Sequence, residues 1–82
     1  MKARVYVTLR REVLDPQGKA VGNALRALGF EEVGDVRVGK YMELDLGGDR
    51  ATEEERLKSM CDKLLANPVI EDYRFEIKED GA

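Results

Sequence analysis

The 82-residue sequence contains few side chains that could form or break a covalent bond. It has no histidine and one cysteine, so imidazole acid–base catalysis is impossible and a zinc site would lack ligands. Cys61 falls on the apolar stripe of a predicted helix with Leu57 and Leu65, where a thiol would stay protonated and unreactive. None of the many carboxylates stands beside a convincing nucleophile. We therefore predict no catalytic residue, no metal site and no cofactor-binding residue in this chain.

The stretch "LDPQGKA" is the segment whose composition most suggests a binding site. Asp15 and Pro16 are typical of a helix start, and Gly18 and Lys19 follow in its first turn. Free backbone N–H groups at such a start can bind an anion, although the sequence lacks the full phosphate-binding run G-x-x-x-x-G-K-[ST]. The alternative is that a neighbouring backbone or subunit approaches Gly18 so closely that a side chain would clash. We favour this protein contact over a phosphate.

Hydrophobic periodicity and capping signals predict the elements that position these residues. In chain order they are the strand "ARVYVTLR", a helix from Asp15 to Gly29, the strands "DVRV" and "YMELDL" joined by a turn at Gly39 and Lys40, a helix opened by a capping box of Thr52 and Glu55, and the strand "EDYRFEIK". On the first helix, Val21, Leu25 and Leu28 share one face, which predicts that this face packs on the core.

The order strand, helix, strand, strand, helix, strand predicts an α+β fold. Right-handed crossovers favour a ferredoxin-like two-layer sandwich, βαββαβ, with both helices on one face of a four-stranded antiparallel sheet. The expected strand order is four, one, three, two. We expect a single domain over residues 1–82, with a core at 3–78 and a frayed C-terminal tail at 79–82.

The sheet face without helices would carry Tyr6, Tyr41 and charges of both signs. Tyrosines on central strands are typical of RNA-recognition domains. However, the acidic groups on the third and fourth strands would repel phosphates, and no aromatic RNP run is present. We therefore predict no nucleic-acid partner. This face suits contact with another protein, for which tyrosine and arginine are favoured anchors, and simple exposure to solvent is the alternative for most of its positions.

No apolar run approaches the roughly 18 residues of a membrane span, and the N-terminus alternates like a strand instead of forming a signal peptide. We predict a cytoplasmic protein with no membrane partner. A chain this short buries only about 60–65% of its unfolded surface, and one cysteine cannot form an internal disulfide. Self-association or a larger complex is the natural source of further burial.

Three sequence blocks resemble one family. They are "VLDPQGKAVGNAL", "VRVGKYMEL" and "MCDKLLANPVIEDY", and the resemblance runs from Val5 to Ile77 without a gap. Together they are similar to the PurS family, the small subunit of phosphoribosylformylglycinamidine synthase (FGAM synthase).

The resemblance implies a role in the fourth step of purine synthesis, where formylglycinamide ribonucleotide becomes formylglycinamidine ribonucleotide. It implies a non-catalytic subunit, a homodimer or tetramer, that brings a glutaminase subunit and a synthetase subunit together so that ammonia can pass between them. ATP, magnesium and glutamine would be used by those partner subunits, and this chain would hold no cofactor of its own.

Eight residues in these blocks are predicted to contact a partner or another copy of the chain: Asp15, Gln17, Gly18, Lys19, Arg37, Lys40, Asn67 and Tyr73. Asp15 and Asn67 also have complete explanations as capping residues.

A different class of function remains open. Small-molecule regulatory modules of the ACT kind share this strand–helix order and bind a ligand at a subunit interface. A ligand-dependent rise in melting temperature would favour that alternative.

Overall fold

The structure, a computed structural model, describes residues 1–79. These residues form three strands, two α-helices and a π-helical turn. In chain order the elements are β1 (Lys2–Leu9), α1 (Pro16–Ala27), β2 (Lys40–Asp45), α2 (Arg50–Met60), the π-helical turn Cys61–Leu65 and β3 (Glu71–Lys78). Glu79 follows β3 outside any regular element, and residues 80–82 of the predicted tail lie outside the described residues.

The three strands form one antiparallel sheet in the order β2-β1-β3. In its central row, Val5 lies between Met42 and Phe75. The predicted α+β class and the antiparallel sheet are confirmed. The relative order of the first, third and last predicted strands is also as expected.

The prediction of a fourth strand is wrong for this chain, because "DVRV" does not pair with the sheet. Residues 36–38 are instead attached to the start of α1. The backbone N–H of Val38 donates to the Asp15 carboxylate, and the carbonyl of Val36 lies directly against Gly18. The predicted hairpin turn at Gly39 is absent for a similar reason, since Gly39 lies tightly against the carbonyl of Val7 on β1.

The core lies between the sheet and α2. Ala3, Val5 and Val7 on β1 are completely buried beneath Leu57 and Cys61. The three β1 side chains are every second residue and therefore point to the same face of the sheet. Leu57 and Cys61 are four residues apart and therefore lie on the same face of the helical segment, so the two faces pack as one apolar layer. The predicted assignment of Cys61 to the core is confirmed.

Helix α1 does not join this core, although the sequence predicts both helices on one sheet face. It makes little contact with any strand, and the only residues it buries are Gly18 and Gly22. Val21 and Leu28 on its apolar face are exposed. The molecule is consequently elongated, 49 × 31 × 13 Å, with a radius of gyration of 16.3 Å. A compact chain of this length would have a radius near 12 Å.

The ends of α1 match the capping signals in the sequence. Asp15 is the N-cap and Pro16 the first helical residue. Gly29 has a φ of 103°, and the N–H of Phe30 donates to the carbonyl of Leu25 at 3.0 Å. This six-to-one hydrogen bond is the mark of a Schellman ending.

Helix α2 begins earlier than predicted. Its N-cap is Asp49, whose carboxylate accepts from the N–H of Thr52 at 3.2 Å and from its hydroxyl at 3.0 Å. Thr52 is therefore bound by the cap instead of being the cap. No helix in residues 1–79 is long and apolar enough to cross a membrane.

Candidate functional site

Arg37 connects the two ends of the segment between β1 and β2 by hydrogen bonds. Its guanidinium donates to the carbonyl oxygens of Arg11 at 2.7 Å and Val13 at 2.9 Å, and more weakly to that of Arg10 at 3.3 Å. The planar fork of arginine suits this role because its N–H groups point in fixed directions. Arg37 therefore has a structural role within the chain, which is to hold residues 10–13 beside it. Its contact with a partner stays a prediction.

Asp15 makes a second hydrogen-bonded connection between the same two parts of the chain. One carboxylate oxygen accepts the N–H of Gly18 at 2.8 Å, and the other accepts the N–H of Val38 at 2.8 Å. The hydrogen bonds from Gly18 and Val38 lower the pKa of this carboxyl, burial opposes them, and the charge of Arg37 adds to the lowering. Asp15 is thus both a helix cap and a link between two segments.

The close approach predicted at Gly18 is present, and it comes from the same chain. A Cβ built on Gly18 would lie 2.0 Å from the carbonyl oxygen of Val36, far inside any permitted contact. Glycine is required here because backbone packs directly on backbone. Gly18 is buried by this contact, and its contact with a partner stays a prediction.

Gln17, Lys40 and Asn67 come together at one end of the sheet through Glu71. Gln17, Lys40 and Glu71 line the same cleft. The two carboxylate oxygens of Glu71 lie 3.7 Å from Lys40 Nζ and 2.7 Å from the backbone N–H of Asn67, which donates to it. Lys19 lies apart, exposed beside the cavity between α1 and residues 34–37.

Glu71 is the member of this group that the sequence interpretation missed. A signal was available, because Glu71 shares the alternation of Tyr73, Phe75 and Ile77, which places its carboxylate on the apolar side of β3. A charged residue in that register requires polar partners, and the structure supplies Lys40 and Asn67.

Tyr73 lies farther along β3 and faces α2. Its hydroxyl donates to Asp62 Oδ1 at 2.8 Å. This hydrogen bond, helped by burial and by the negative charge of Asp62, raises the pKa of Tyr73 to about 12. Tyr73 therefore ties the last strand to the π-helical turn, and its contact with a partner stays a prediction.

The helix-free face of the sheet carries an ordered row of side chains. Tyr41, Tyr6 and Arg74 stand opposite one another on the three strands. The two rings have centroids 5.2 Å apart, and the Arg74 guanidinium lies 3.9 Å from the Tyr6 ring centroid. Such aromatic and cation–π contacts preorganise large side chains in a solvent-facing position, as protein-binding surfaces require.

Cys61 is the one thiol in the sequence, and its surroundings do not activate it. Burial raises the pKa of Cys61, and nearby Asp62 raises it further, so the thiolate needed for nucleophilic attack is disfavoured. Within residues 1–79, no group of three or more histidine, cysteine or acidic side chains is arranged to hold a metal ion.

Comparison with known proteins places this architecture in a family. The family model described as PurS, phosphoribosylformylglycinamidine (FGAM) synthase, matches residues 2–79. A subunit named PurS of FGAM synthase from Bacillus subtilis is 54% identical over 78 residues, covering 95% of this chain and 93% of that protein. Its counterpart from Synechocystis sp. is 57% identical over 75 residues, covering 90% of this chain and 75% of that protein.

Solved structures agree with the sequence matches. A crystal structure of Bacillus subtilis PurS superposes with a TM-score of 0.88 at 54% identity, covering 95% of this chain and 98% of that one. A chain in a Thermotoga maritima structure described as PurLQS superposes with a TM-score of 0.82 at 32% identity, covering 92% and 93%. The chain belongs to the PurS family of phosphoribosylformylglycinamidine synthase subunits.

Proposed function

We propose that this chain is the non-catalytic small subunit of FGAM synthase and acts in the cytoplasm by assembly. In this role it self-associates and holds a glutaminase subunit and a synthetase subunit together during de novo purine synthesis. Membership of the PurS family supports the enzyme assignment, and the Thermotoga maritima PurLQS structure supports partnership with other subunits. ATP, magnesium and glutamine belong to the partner subunits in this proposal.

The observation that carries the assembly role is the fixed but uncovered segment between β1 and β2. Arg37 and Asp15 hold its two ends together, yet Leu28 and Phe30 at its far end face solvent. A rigid segment that exposes apolar side chains is suited to protein contact, because little conformational entropy is lost when it binds.

Joining the two enzymes solves a chemical problem. Ammonia released into water at neutral pH becomes mostly ammonium, which has no lone pair for attack on an activated amide. A subunit that lowers the free energy of the joined state shortens the path of ammonia between the two sites. It needs no reactive group of its own, only surfaces that fit both neighbours.

The helix-free sheet face is the surface we assign to the enzyme subunits. Tyr6, Tyr41 and Arg74 are of the residue types that most often anchor interfaces, and they are already held in one row. Arg4 and Glu43 stand opposite each other in the next row and give the face charges of both signs. Such a mixed-charge face fits an equally polar, specific partner.

Reconstitution tests the proposal. The synthetase and glutaminase chains should show glutamine-dependent synthesis only when this chain is present, while synthesis from added ammonium should persist without it. Unchanged glutamine-dependent synthesis in its absence would remove the assembly role. The double variant Tyr6→Ser, Tyr41→Ser should self-associate normally yet fail to co-purify with the enzymes. Val69→Ser, a change at an exposed loop residue outside this face, is the matched control.

A further inference from the structure

A cleft of about 330 Å³ lies at the end of the sheet where β1 stops and β2 and β3 begin. Its residues come from β1, from the start of α1 and from the first residues of β2 and β3. Antiparallel pairing sets Lys40 opposite Val7 and Glu71 opposite Leu9. Because directly paired residues project to the same face of a sheet, both charged side chains lie on the face that carries the core. The cleft therefore opens beside the core, and its size is that of the smaller ligand pockets.

Glu71 and Lys40 form a loose ion pair in this cleft. Glu71 is mostly buried, with a side chain 13% exposed, and its Oε1 accepts the N–H of Asn67 at 2.7 Å. The other oxygen, Oε2, lies 3.7 Å from Lys40 Nζ, which is too far for a hydrogen bond, and nothing else in residues 1–79 donates to it. Lys40 is 65% exposed, and its ammonium has three donors on a flexible stem. A ligand can thus enter between a fixed carboxylate and a mobile ammonium.

The rest of the lining narrows the choice of ligand. Leu9, Pro16 and Val38 supply an apolar wall, and Gln17 supplies an exposed carboxamide. The carboxylate of Asp15, the remaining charge, is already bonded to two backbone N–H groups. Two carboxylates against one ammonium disfavour a phosphate, whereas a simple cation would leave the ammonium unpaired. A small molecule that carries both charges would pair with both groups.

We propose that this cleft binds a free α-amino acid with an uncharged side chain. The α-ammonium group of the ligand donates to Glu71 Oε2, and its α-carboxylate accepts from Lys40 Nζ. The ligand thereby replaces a loose ion pair with two charge-assisted hydrogen bonds, which are shorter and stronger than neutral ones. Its side chain lies against the apolar wall at Leu9 and Val38, within reach of the Gln17 carboxamide.

The bound ligand would connect β2 and β3 to the start of α1. Because it binds the folded chain and not the unfolded one, it would stabilise the fold in proportion to its concentration above the dissociation constant. A chain with this site responds to the supply of an amino acid, which the assembly role alone does not require. The inference therefore adds a ligand to the proposed function and does not depend on it.

Backbone amide spectra of the full chain, titrated at neutral pH with single compounds, test the ligand class. L-alanine and L-glutamine should shift the N–H signals of Lys40, Asn67 and Glu71 and saturate below about 20 mM, since so small a ligand binds weakly. L-alaninamide lacks the carboxylate and N-acetyl-L-alanine lacks the ammonium, so neither should saturate. If neither amino acid saturates these signals, or if an analogue or inorganic phosphate acts equally well, the proposal is wrong.

Two substitutions each remove one charge from the cleft. Glu71→Gln keeps an oxygen for the N–H of Asn67, and Lys40→Met keeps the apolar stem. Each should raise the dissociation constant for L-alanine at least about tenfold, because a charge-assisted hydrogen bond is lost. Lys2→Met is the matched control, since Lys2 is 64% exposed and lies 4.0 Å from Asp45 at the other end of the sheet. Wild-type affinity in both cleft variants, or an equal loss in the control, would overturn the site. These titrations need no enzyme subunit, so their failure would leave the assembly role standing.

Discussion

Gly18 lies so close to Val36 that the first turn of α1 and residues 36–38 touch backbone to backbone. A Cβ at Gly18 would be 2.0 Å from the Val36 carbonyl oxygen, and that oxygen cannot rotate away as a side-chain atom would. We expect Gly18→Ala to lower the free energy of unfolding by about 1–3 kcal/mol, the usual cost of overpacking. Urea titrations at several protein concentrations measure this cost separately from self-association.

Gly22, one turn further along α1, provides the matched control. A Cβ there would meet the flexible end of Arg26 at 3.3 Å and a methyl group of Val36 at 3.4 Å. Both can shift, and alanine adds up to about 1 kcal/mol of helix propensity. Gly22→Ala should therefore change the unfolding free energy by less than about 1 kcal/mol. Equal destabilisation of the two variants would show that the Val36 carbonyl is not the constraint.

Acid should loosen the segment between β1 and β2 through Asp15. Its folded-state pKa lies below the ordinary carboxyl value, so its contribution is present above that value and is lost as pH falls through the folded pKa. Asn in place of Asp15 can accept only one of the two N–H bonds. We expect Asp15→Asn to lower Tm at neutral pH by about 4–8 °C. Its Tm should also fall less steeply than that of wild type below pH 4.

Asp49 distinguishes this effect from simple helix capping. It caps α2 in the same way, and its pKa is likewise lowered by its hydrogen bonds to Thr52, but within residues 1–79 its side chain bonds only to the start of its own helix. Asp49→Asn should therefore lower Tm less than Asp15→Asn. Amide exchange in residues 36–38 should quicken in the Asp15 variant alone. Equal exchange in both would mean that the bond to Val38 contributes nothing.

Local signals in the sequence predicted most of the helices and strands correctly, but they did not predict how these elements pack together. Asp15, Pro16 and Gly29 define the ends of α1 through short-range bonds, and the structure agrees with all three. The strand assignment at residues 36–38 failed because Val36 and Val38 alternate like a strand, while Asp15, distant in sequence, takes the backbone N–H that a strand would use. Hydrophobic periodicity does not show that a side chain from elsewhere in the sequence will accept this N–H.

The site residues were predicted only in part, for a related reason. Arg37 and Asp15 were both predicted to be site residues, but their hydrogen-bond partners are backbone atoms that no residue type reveals. Glu71 was not predicted because it belongs to no motif, and only its place in the apolar alternation of β3 distinguishes it from the other carboxylates.

Arg37 should control how firmly the two ends of the segment between β1 and β2 are held together. Arg37→Lys keeps the charge but replaces a planar fork with one ammonium group, which cannot reach three carbonyls in fixed directions. We expect a loss of about 1–3 kcal/mol in unfolding free energy and faster amide exchange in residues 10–15. Arg11→Lys, a change on a neighbouring exposed side chain, should leave both nearly unchanged. An Arg37 variant as stable as the Arg11 variant would contradict this role.

Alkaline titration should reveal the bond between Tyr73 and Asp62. The neutral phenol donates to the carboxylate, and ionisation would both break that bond and place two negative charges together, which is why the pKa of Tyr73 rises to about 12. Because the folded-state pKa is raised, the stability contributed by this pair persists below pH 10 and is lost as pH climbs through 12. Burial and the hydrogen bond to Glu43 also raise the pKa of Tyr41, so the diagnostic signal is the change between the two proteins. Ultraviolet absorbance of phenolate should show the last tyrosine ionising at lower pH in Asp62→Asn than in wild type. Asp45→Asn, which removes an exposed carboxylate at the end of β2, should leave the late step in place. A titration that is identical in wild type and Asp62→Asn would mean that the hydroxyl is free in solution.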